Sequence, residues 1–508
     1  MHRCLQIAEV LDIILHILGG DPSHYGRTLY PSALAALART CHALSEPALD
    51  VLWEKQNTLM RVILCLPTDC WIFVDEHDGN CGMIQVLILR LGMDDDAGCR
   101  EYPSRNALYI LEEYRLSGAL FPYLRELRFY ADDLRYWKVP NMFLTATLKT
   151  LGFTIEEYAD LTWKKVTSFL ADVTRIAPNL GTLTMGICQA NQDPPPSLSF
   201  ILANFHQLKK LSIDMLDQDF LISAMRTWSS SLPYLTGLHI NSRDEHPPPT
   251  DFGFTSGIVS SSQFKSLKNL CINFKHLSSA CATLQLLDQA PLAELIVCMT
   301  DYGENVGRTL NIQHLLNTIA AHCSHAALKT LRLLQGVDAN EPDYLQFYHI
   351  QPLLVYRNLE DIMLDFDSNL RINDEQLKQM AIAWPHLSYL SIPFRLDERP
   401  RIFKSDLTLA SLEILTTTCL RLRSLLINID TSHATRPKEG SGTGSLRELD
   451  VDWSPVSESA AVAAFLTSVF PQPIEVSSHE SSPFRDEWRE VSYVVKTRQS
   501  RRANATRT

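Results

Sequence analysis

One short phrase constrains this chain more than any other feature. Leu-x-x-Leu-x-apolar recurs from Leu124 to Val451, anchored at Leu124, Leu148, Leu180, Leu208, Leu235, Leu267, Leu292, Leu328, Leu359, Leu387, Leu422 and Leu446. A single copy means nothing in a leucine-rich chain. Twelve copies at a mean step of about 29 residues do not arise by chance. The apolar-x-apolar end of each phrase has period two, the pattern of a short strand with one buried face. The stretch before most phrases has helical period. Asn373-Asp374-Glu375 reads as an N-cap and acidic first turn, leading to Leu377, Met380 and Ala381 and stopping at Trp384-Pro385. Trp163 to Pro178 repeats that pattern with Val166, Phe169, Leu170 and Val173.

Each repeat is therefore helix, turn, strand. One such unit cannot bury its own apolar face, so neighbours must stack. The period lies at the upper end of the leucine-rich-repeat range of roughly 20–29 residues. The expected fold is α/β: a strand–helix solenoid with a curved parallel sheet over residues 116–470. Steps of roughly 24 to 36 residues predict an irregular arc. The Asn or Cys usual after the strand is mostly missing, which leaves the repeat subtype open.

Within each phrase, the residues flanking the middle Leu and the one after the last apolar residue alternate to the outer side. The charged ones are Glu126, Arg128, Lys210, Asp214, Glu294, Arg332, Asp361, Asp365, Glu448, Asp450 and Asp452. The last four repeats supply only acids. Asp361, Met363, Asp365, Tyr389, Glu448, Asp450 and Asp452 are thus the candidate substrate-binding face, with Met363 and Tyr389 as apolar anchors. Such a face suits a protein substrate with a basic segment. The alternative is a solvated acidic surface that keeps the protein soluble.

The flanks differ. Residues 1–66 read as three helices. The first, Leu5–Leu18, carries Ile7, Val10, Leu11, Ile14 and Leu18 on one face, with Ile13 and Ile17 round the side. The second is expected over Ser32–Leu44, with Leu34, Leu37, Ala38 and Cys41 in register. The third is expected to start near Ser45 with Pro47 in its first turn, and carries Leu49, Leu52 and Trp53. Residues 67–115 are a connector with little pattern. Residues 471–508, Ser-rich and then basic, are expected to be a disordered tail.

The net charge of −12 argues against nucleic acid or a polybasic membrane contact as the main activity. No stretch of about 18 residues is apolar enough to span a membrane, and the N-terminal apolar run, broken by Gln6, Glu9, Asp12 and His16, is no signal peptide. The expected location is cytoplasmic, nuclear or both. The 12 cysteines are scattered and read as small buried hydrophobes. No phosphate-binding loop, nucleophile elbow or zinc motif is present, so neither catalytic residues nor a cofactor or metal is expected. His322-Cys323-Ser324-His325 is read as a packed or capping helix end. Gly440-Ser441-Gly442-Thr443-Gly444 is read as an inter-repeat loop.

The order Ile7-Ala8-Glu9-Val10-Leu11, Ile17-Leu18, then Ala35 to Leu44 with Cys41, then Pro47 to Trp53 resembles an F-box. With the repeats behind it, the chain resembles the F-box/leucine-rich-repeat family of fungal type. It departs from the family at Ala8, where Pro is usual, and in a longer loop over Gly19–Tyr30. The resemblance implies a substrate-recognition subunit of a Skp1–cullin–F-box ubiquitin ligase, itself no enzyme. A Skp1-like adaptor would dock on Ile7, Leu11, Ile14, Leu18, Leu37, Leu49, Leu52 and Trp53, and the repeats would present a protein substrate to the cullin-RING ligase. The surplus apolar surface of the first helix needs a partner in any case, either an adaptor or the rest of the chain. The other reading is a non-catalytic leucine-rich-repeat scaffold with a degenerate F-box and no link to ubiquitination.

Overall fold

The structure is a computed structural model. It describes residues 8–19, 31–54, 124–131, 139–155, 163–187, 194–216, 218–242, 264–274, 276–287, 289–299, 308–335, 344–366, 369–394, 405–432, 445–470 and 472–505. The chain forms two compact units, Met1–Gln192 and Asp193–Thr508.

The first unit opens with helices α1 (Ala8–Gly19), α2 (Pro31–Ala38) and α3 (His42–Glu54). The boundary between α2 and α3 differs from the expected one. The chain breaks at Arg39–Cys41, where Thr40 Oγ1 donates to Leu37 O and the Leu44 and Ser45 amides donate to Cys41 O. Helix α3 therefore starts at His42, and Pro47 lies inside it. The same unit holds strands β1 (Glu126–Ala131), β2 (Thr150–Ile155) and β3 (Thr182–Ile187), paired in parallel and in chain order. Helix α4 (Trp163–Ile176) precedes β3 and buries Val166, Phe169, Leu170 and Val173. Phe129 and Phe153 stack at 5.4 Å, and Phe169 meets both edge-on.

The second unit repeats strand and helix. Its main sheet contains β4 (Lys210–Leu216), β5 (Gly237–Ser242), β6 (Asn269–Phe274), β7 (Glu294–Met299), β8 (Thr330–Gln335), β10 (Asp361–Asp365), β12 (Tyr389–Ile392), β13 (Ser424–Ile427), β14 (Glu448–Asp450) and β15 (Glu475–Ser477). Each is parallel to the one before it. A separate parallel pair joins β9 (Tyr344–Gln346) to β11 (Asn369–Arg371). The longer helices are α5 (Pro196–Ala203), α6 (Gln218–Ser231), α7 (Leu277–Gln285), α8 (Arg308–His322), α9 (Asp374–Ala383), α10 (Ala410–Thr418), α11 (Ser459–Val469) and α12 (Arg485–Ala505). This is the expected α/β, leucine-rich-repeat-like architecture, with a strand at every phrase.

The phrase works because each of its parts is consumed. From Leu148 onward both leucine positions are buried in every copy, as is the closing apolar residue. The residue after the leading Leu contributes its backbone carbonyl. Lys329 O accepts from the Glu360 and Asp361 amides at 2.8 and 3.0 Å, and Lys149, Lys209, Lys268 and Ser388 do the same for the repeats that follow them. Both lone pairs of one carbonyl thus clamp the next repeat. Behind the sheet, aromatic side chains tie several helical layers to the previous one. Trp228 Nε1 donates to Ser199 O, Trp384 Nε1 to Leu353 O, and Tyr356 Oη to Ile319 O. Asn373 caps α9 in a reciprocal box with Gln376, as its sequence predicts.

The expectation of a disordered tail over 471–508 is corrected. Strand β15 extends the sheet with Val476 opposite Leu449, and α12 buries Trp488, Val491 and Val495. Trp488 Nε1 donates to Ser454 O at 2.7 Å. The closing rung escapes the phrase because Pro473 stands where the leading Leu would be. Its apolar residues are real but set in a polar, basic stretch.

Candidate functional site

Two surfaces invite partners, one in each unit. The first is on the helical bundle. Its core is Leu15, Leu34 and Ala48, with Leu11, Leu18, Leu37, Ala38 and Val51 packed against it. Three residues of the expected adaptor set, Leu11, Leu18 and Leu37, are therefore spent on the bundle's own core. Ile14 is half-buried, and Leu49 is 38% exposed. Ile7 and the side chains of Leu52 and Trp53 lie outside the described residues. The large apolar groups left open on α1 are Ile13, 59% exposed, and Ile17, 65% exposed, one helical turn apart. Covering them would gain on the order of 2–4 kcal/mol gross. They belong to the side of the helix the sequence marked as extra apolar surface, not to the set chosen from it.

The second surface is the outer side of the sheet in the second unit. Asp361 lies in register with Thr330 and Tyr389, and Arg332 with Ile296 and Met363. Arg332 reaches across one strand to hold Asp361 at both oxygens, Nε to Oδ1 at 3.1 Å and Nη2 to Oδ2 at 2.7 Å. Its guanidinium also lies 5.9 Å from the Tyr389 ring centroid. The hydrogen bond to Asp361 pushes the guanidinium's pKa further up, against the effect of burial. Half-buried Ile296, Leu334 and Met363 surround this pair. An Arg and a Tyr within an aliphatic patch is the composition of a protein-binding hot spot.

The acids expected on this face separate into different environments. Asp361 is neutralised by Arg332. Asp365 is half-buried, and Glu448 is exposed. Asp450 accepts from the Asp452 amide and from Ser477 Oγ. Asp452 is a correction: it is 6% exposed, and its Oδ2 accepts from the Phe394 amide and from Asn428 Nδ2, both at 2.9 Å. Strand β14 ends at Asp450, and the backbone turns left-handed at Asp452, φ 52°. Period-two alternation therefore does not extend to it. Burial raises the Asp452 pKa, partly offset by the two donors.

Toward β4 the same face carries chemistry that charge counting misses. His239 Nδ1 meets Ser212 Oγ at 3.3 Å, and burial raises the nearby Asp214 against the His239 charge. Cys271 lies in register beside His239, and Cys298 lies one diagonal step away on β7. These two cysteines are half-buried and Cys41 is exposed, so the reading of all cysteines as buried hydrophobes is corrected; Cys281, Cys323 and Cys419 do fit it. His325 Nε2 contacts Ala320 O at 2.7 Å, in the capping role expected at the end of α8. Among the described residues, no group of three or more His, Cys, Asp or Glu could hold a metal ion, and no helix is long and apolar enough to cross a membrane.

No family model matches this chain, and no curated protein matches it. Among solved structures it is similar to the Rad7 and Elc1 complex in yeast, at 14% identity, over 75% of this chain and 85% of that one, with a TM-score of 0.32. It is also similar to a Bacteroides fragilis protein at 14% identity, over 49% of this chain and 67% of that one, with a TM-score of 0.27.

Proposed function

We propose that this protein is a non-catalytic substrate receptor of a Skp1–cullin–F-box ubiquitin ligase. The N-terminal bundle docks a Skp1-like adaptor, and the sheet face of the second unit binds a protein substrate. The observation that carries the reading is the Ile13–Ile17 pair. A small bundle with a filled core leaves two isoleucines open on its first helix, in the segment whose residue order resembles an F-box. Such exposure is characteristic of a docking helix. The sheet face supports the second half of the proposal. Arg332, Met363, Leu334 and Tyr389 supply the anchor, and Asp365, Glu448 and Asp450 favour a substrate with a basic flank.

The test is co-precipitation of the full chain with a Skp1-like adaptor, using Ile13→Asp with Ile17→Asp. Adaptor capture should fall at least about tenfold, the effect of losing roughly 1.4 kcal/mol, while the helical signal persists. Capture at the wild-type level by the double variant places the adaptor elsewhere. A wild-type chain that captures no adaptor but still binds a protein partner leaves the scaffold reading instead.

A further inference from the structure

In the second unit, the turns from helix into strand carry a charge opposite to that of the chain. Each turn comprises the two residues before a leading Leu and the one after it, from the Leu208 repeat to the Leu446 repeat. Eight of these positions are Lys or Arg and one, Glu360, is acidic, although the whole chain has a net charge of −12. The residue after the leading Leu is basic at Lys209, Lys268, Lys329, Arg423 and Arg447. The two positions before it add Lys265, Arg357 and Arg421. All eight are exposed. The backbone sets them in a row. The carbonyls after the leading Leu clamp one repeat to the next in an unbroken series from Lys209 to Arg447, so these residues follow one another at the strand spacing of about 4.8 Å. A second ladder of bonds fixes the turns. Ser266 Oγ donates to Pro233 O at 2.7 Å, Asn358 Nδ2 to Ala326 O at 2.8 Å, and Ser445 Oγ to Leu420 O at 2.9 Å. Side chains of neighbouring turns reach each other, for Lys329 Nζ lies 2.8 Å from Glu360 Oε1. The bond from Lys329 lowers the Glu360 pKa against burial, and the charges of Lys329, Arg421 and His386 add to it. The one acid of the row is thus shared among cations. Among the described residues, Lys209, Lys265, Lys268, Arg423 and Arg447 make no ion pair. A rigid row of like charges repels itself, and an anionic partner relieves that repulsion.

We propose that this edge of the second unit is a docking surface for an acidic segment of a protein partner, seated over Arg421, Arg423 and Arg447 with an apolar side chain on Leu420. Two observations favour a narrow acidic peptide. First, the row is thin. The next residue of the phrase turns to the sheet face, and there it is often acidic, as at Glu294, Asp361 and Glu448. Asn269 Nδ2 holds Glu294 at 2.6 Å and Arg332 holds Asp361, but Glu448 stands exposed one residue from Arg447. A nucleic-acid backbone or an anionic membrane is too broad to meet the row without meeting those acids as well. Second, Leu420 is 57% exposed beside Arg421. A phosphate backbone has nothing to lay on it, whereas an acidic peptide has aliphatic side chains to do so. The surface is distinct from the substrate face around Arg332 and does not depend on the ligase reading. Its charge should act on association rate and salt dependence more than on final affinity.

The experiment titrates the full chain into a fluorescent Glu-rich peptide with one central Leu and reads anisotropy across a salt series. Parallel arms use a single-stranded oligodeoxynucleotide and phosphatidylserine vesicles. The wild-type chain should bind the peptide, more weakly as salt is added, and should bind it more tightly than the other two. Arg421→Glu with Arg423→Glu and Arg447→Glu should weaken peptide binding at least about tenfold at low ionic strength, and less at high salt. Leu420→Ser should weaken it by a factor that salt does not change. The three arginines are exposed and their repeats are clamped through backbone atoms, so the variants should melt as the wild type does. If the Glu set does not fold, the same three positions changed to Gln decide the matter, with a loss of several-fold expected. The proposal is overturned if the wild-type chain does not bind the peptide at low salt, or if the folded variants bind it as the wild type does. It is also overturned if the oligonucleotide or the vesicles bind more tightly than the peptide and lose that binding in the same variants. Sedimentation covers the remaining occupant: a wild-type dimer that the arginine variants dissolve would assign the edge to a second copy of this chain, and would overturn the proposal too.

Discussion

Replacing Trp488 by Ala asks whether helix α12 closes the repeat stack of the second unit. The indole is 1% exposed, its Nε1 donates to Ser454 O at 2.7 Å, and Val491 and Val495 are buried on the same helix. Truncating a buried Trp to Ala costs about 3–5 kcal/mol, cavity included. A whole domain is stable by only about 5–15 kcal/mol. Repeat arrays couple mainly to nearest neighbours, so the loss should fall on the end of the stack. Hydrogen exchange on the full chain reads this directly. Amides in β14, α11, β15 and α12 should exchange roughly 10²–10³-fold faster, at about 1.4 kcal/mol per factor of ten. Amides in β5, β6 and β7 should keep their wild-type rates. Trp488→Phe keeps most of the ring and loses the hydrogen bond, so it should cost about 0.5–1.5 kcal/mol. Unchanged protection in Trp488→Ala would show that α12 does not pack on α11 in solution. A uniform loss across β4 to β15 would show that the unit unfolds as one block and would refute nearest-neighbour coupling.

Three further outcomes are expected. Asn373→Ala removes the α9 cap and should lower stability by about 1 kcal/mol in chemical denaturation, with no loss if the box with Gln376 is absent in solution. Asp452 has its carboxyl pKa raised by burial, so the native state holds a proton that the unfolded chain releases near 3.8. Its contribution is greatest below that value and is lost as pH rises through the folded value. Asp452→Asn, which also suits the left-handed backbone, should flatten that pH dependence and raise stability at neutral pH; an unchanged pH profile of the melting temperature would contradict this. Truncation after Pro385 removes β12 to β15 and uncovers the β10 repeat, so the product should aggregate or lose helicity beyond the deleted residues by circular dichroism. A sharply melting product would mark a domain boundary there.

The strands were legible because their signal is hydrophobic and repeats. Leu359, Ile362 and Leu364 are all buried, and so are their counterparts in every later copy. The break between α2 and α3 was not. Leu34, Leu37, Ala38 and Cys41 are spaced as for one continuous helix, and the interruption rests on local bonds around Thr40 and Cys41 that leave no apolar pattern. The last rung was hidden by composition. Trp488, Val491 and Val495 have helical spacing, but basic and Ser-rich residues surround them, and average polarity outweighs three apolar side chains in a sequence reading. Among the bundle residues, helical periodicity placed the apolar positions on α1 correctly. It does not decide which of them α2 and α3 cover, because that depends on how the helices cross: Leu11 and Leu18 pack against the core, and Ile13 and Ile17 stay exposed.

The sheet face fails to be legible for a different reason, and the reason has consequences for its chemistry. Period two tells which side a residue faces, but each residue's neighbours on that side come from the repeats before and after it. Arg332 and Asp361 are 29 positions apart, Ser212 and His239 are 27 apart, and Asp450 and Ser477 are 27 apart. Each separation is about one repeat length. Only when the phrases are aligned copy against copy does the face become a two-dimensional array. In that array Arg332 stands two residues further along its phrase than Asp361 does, so its long side chain crosses diagonally to neutralise the next repeat's acid. Cys271 and Cys298 are likewise a diagonal pair, invisible as a spacing because inter-repeat steps vary. Counting acids along the chain therefore overstates the field over β10 and understates the local structure around it. In the proposed receptor, the charge that would steer a partner comes from Asp365, Glu448 and Asp450, while Arg332, Met363 and Tyr389 would form the contact that holds it.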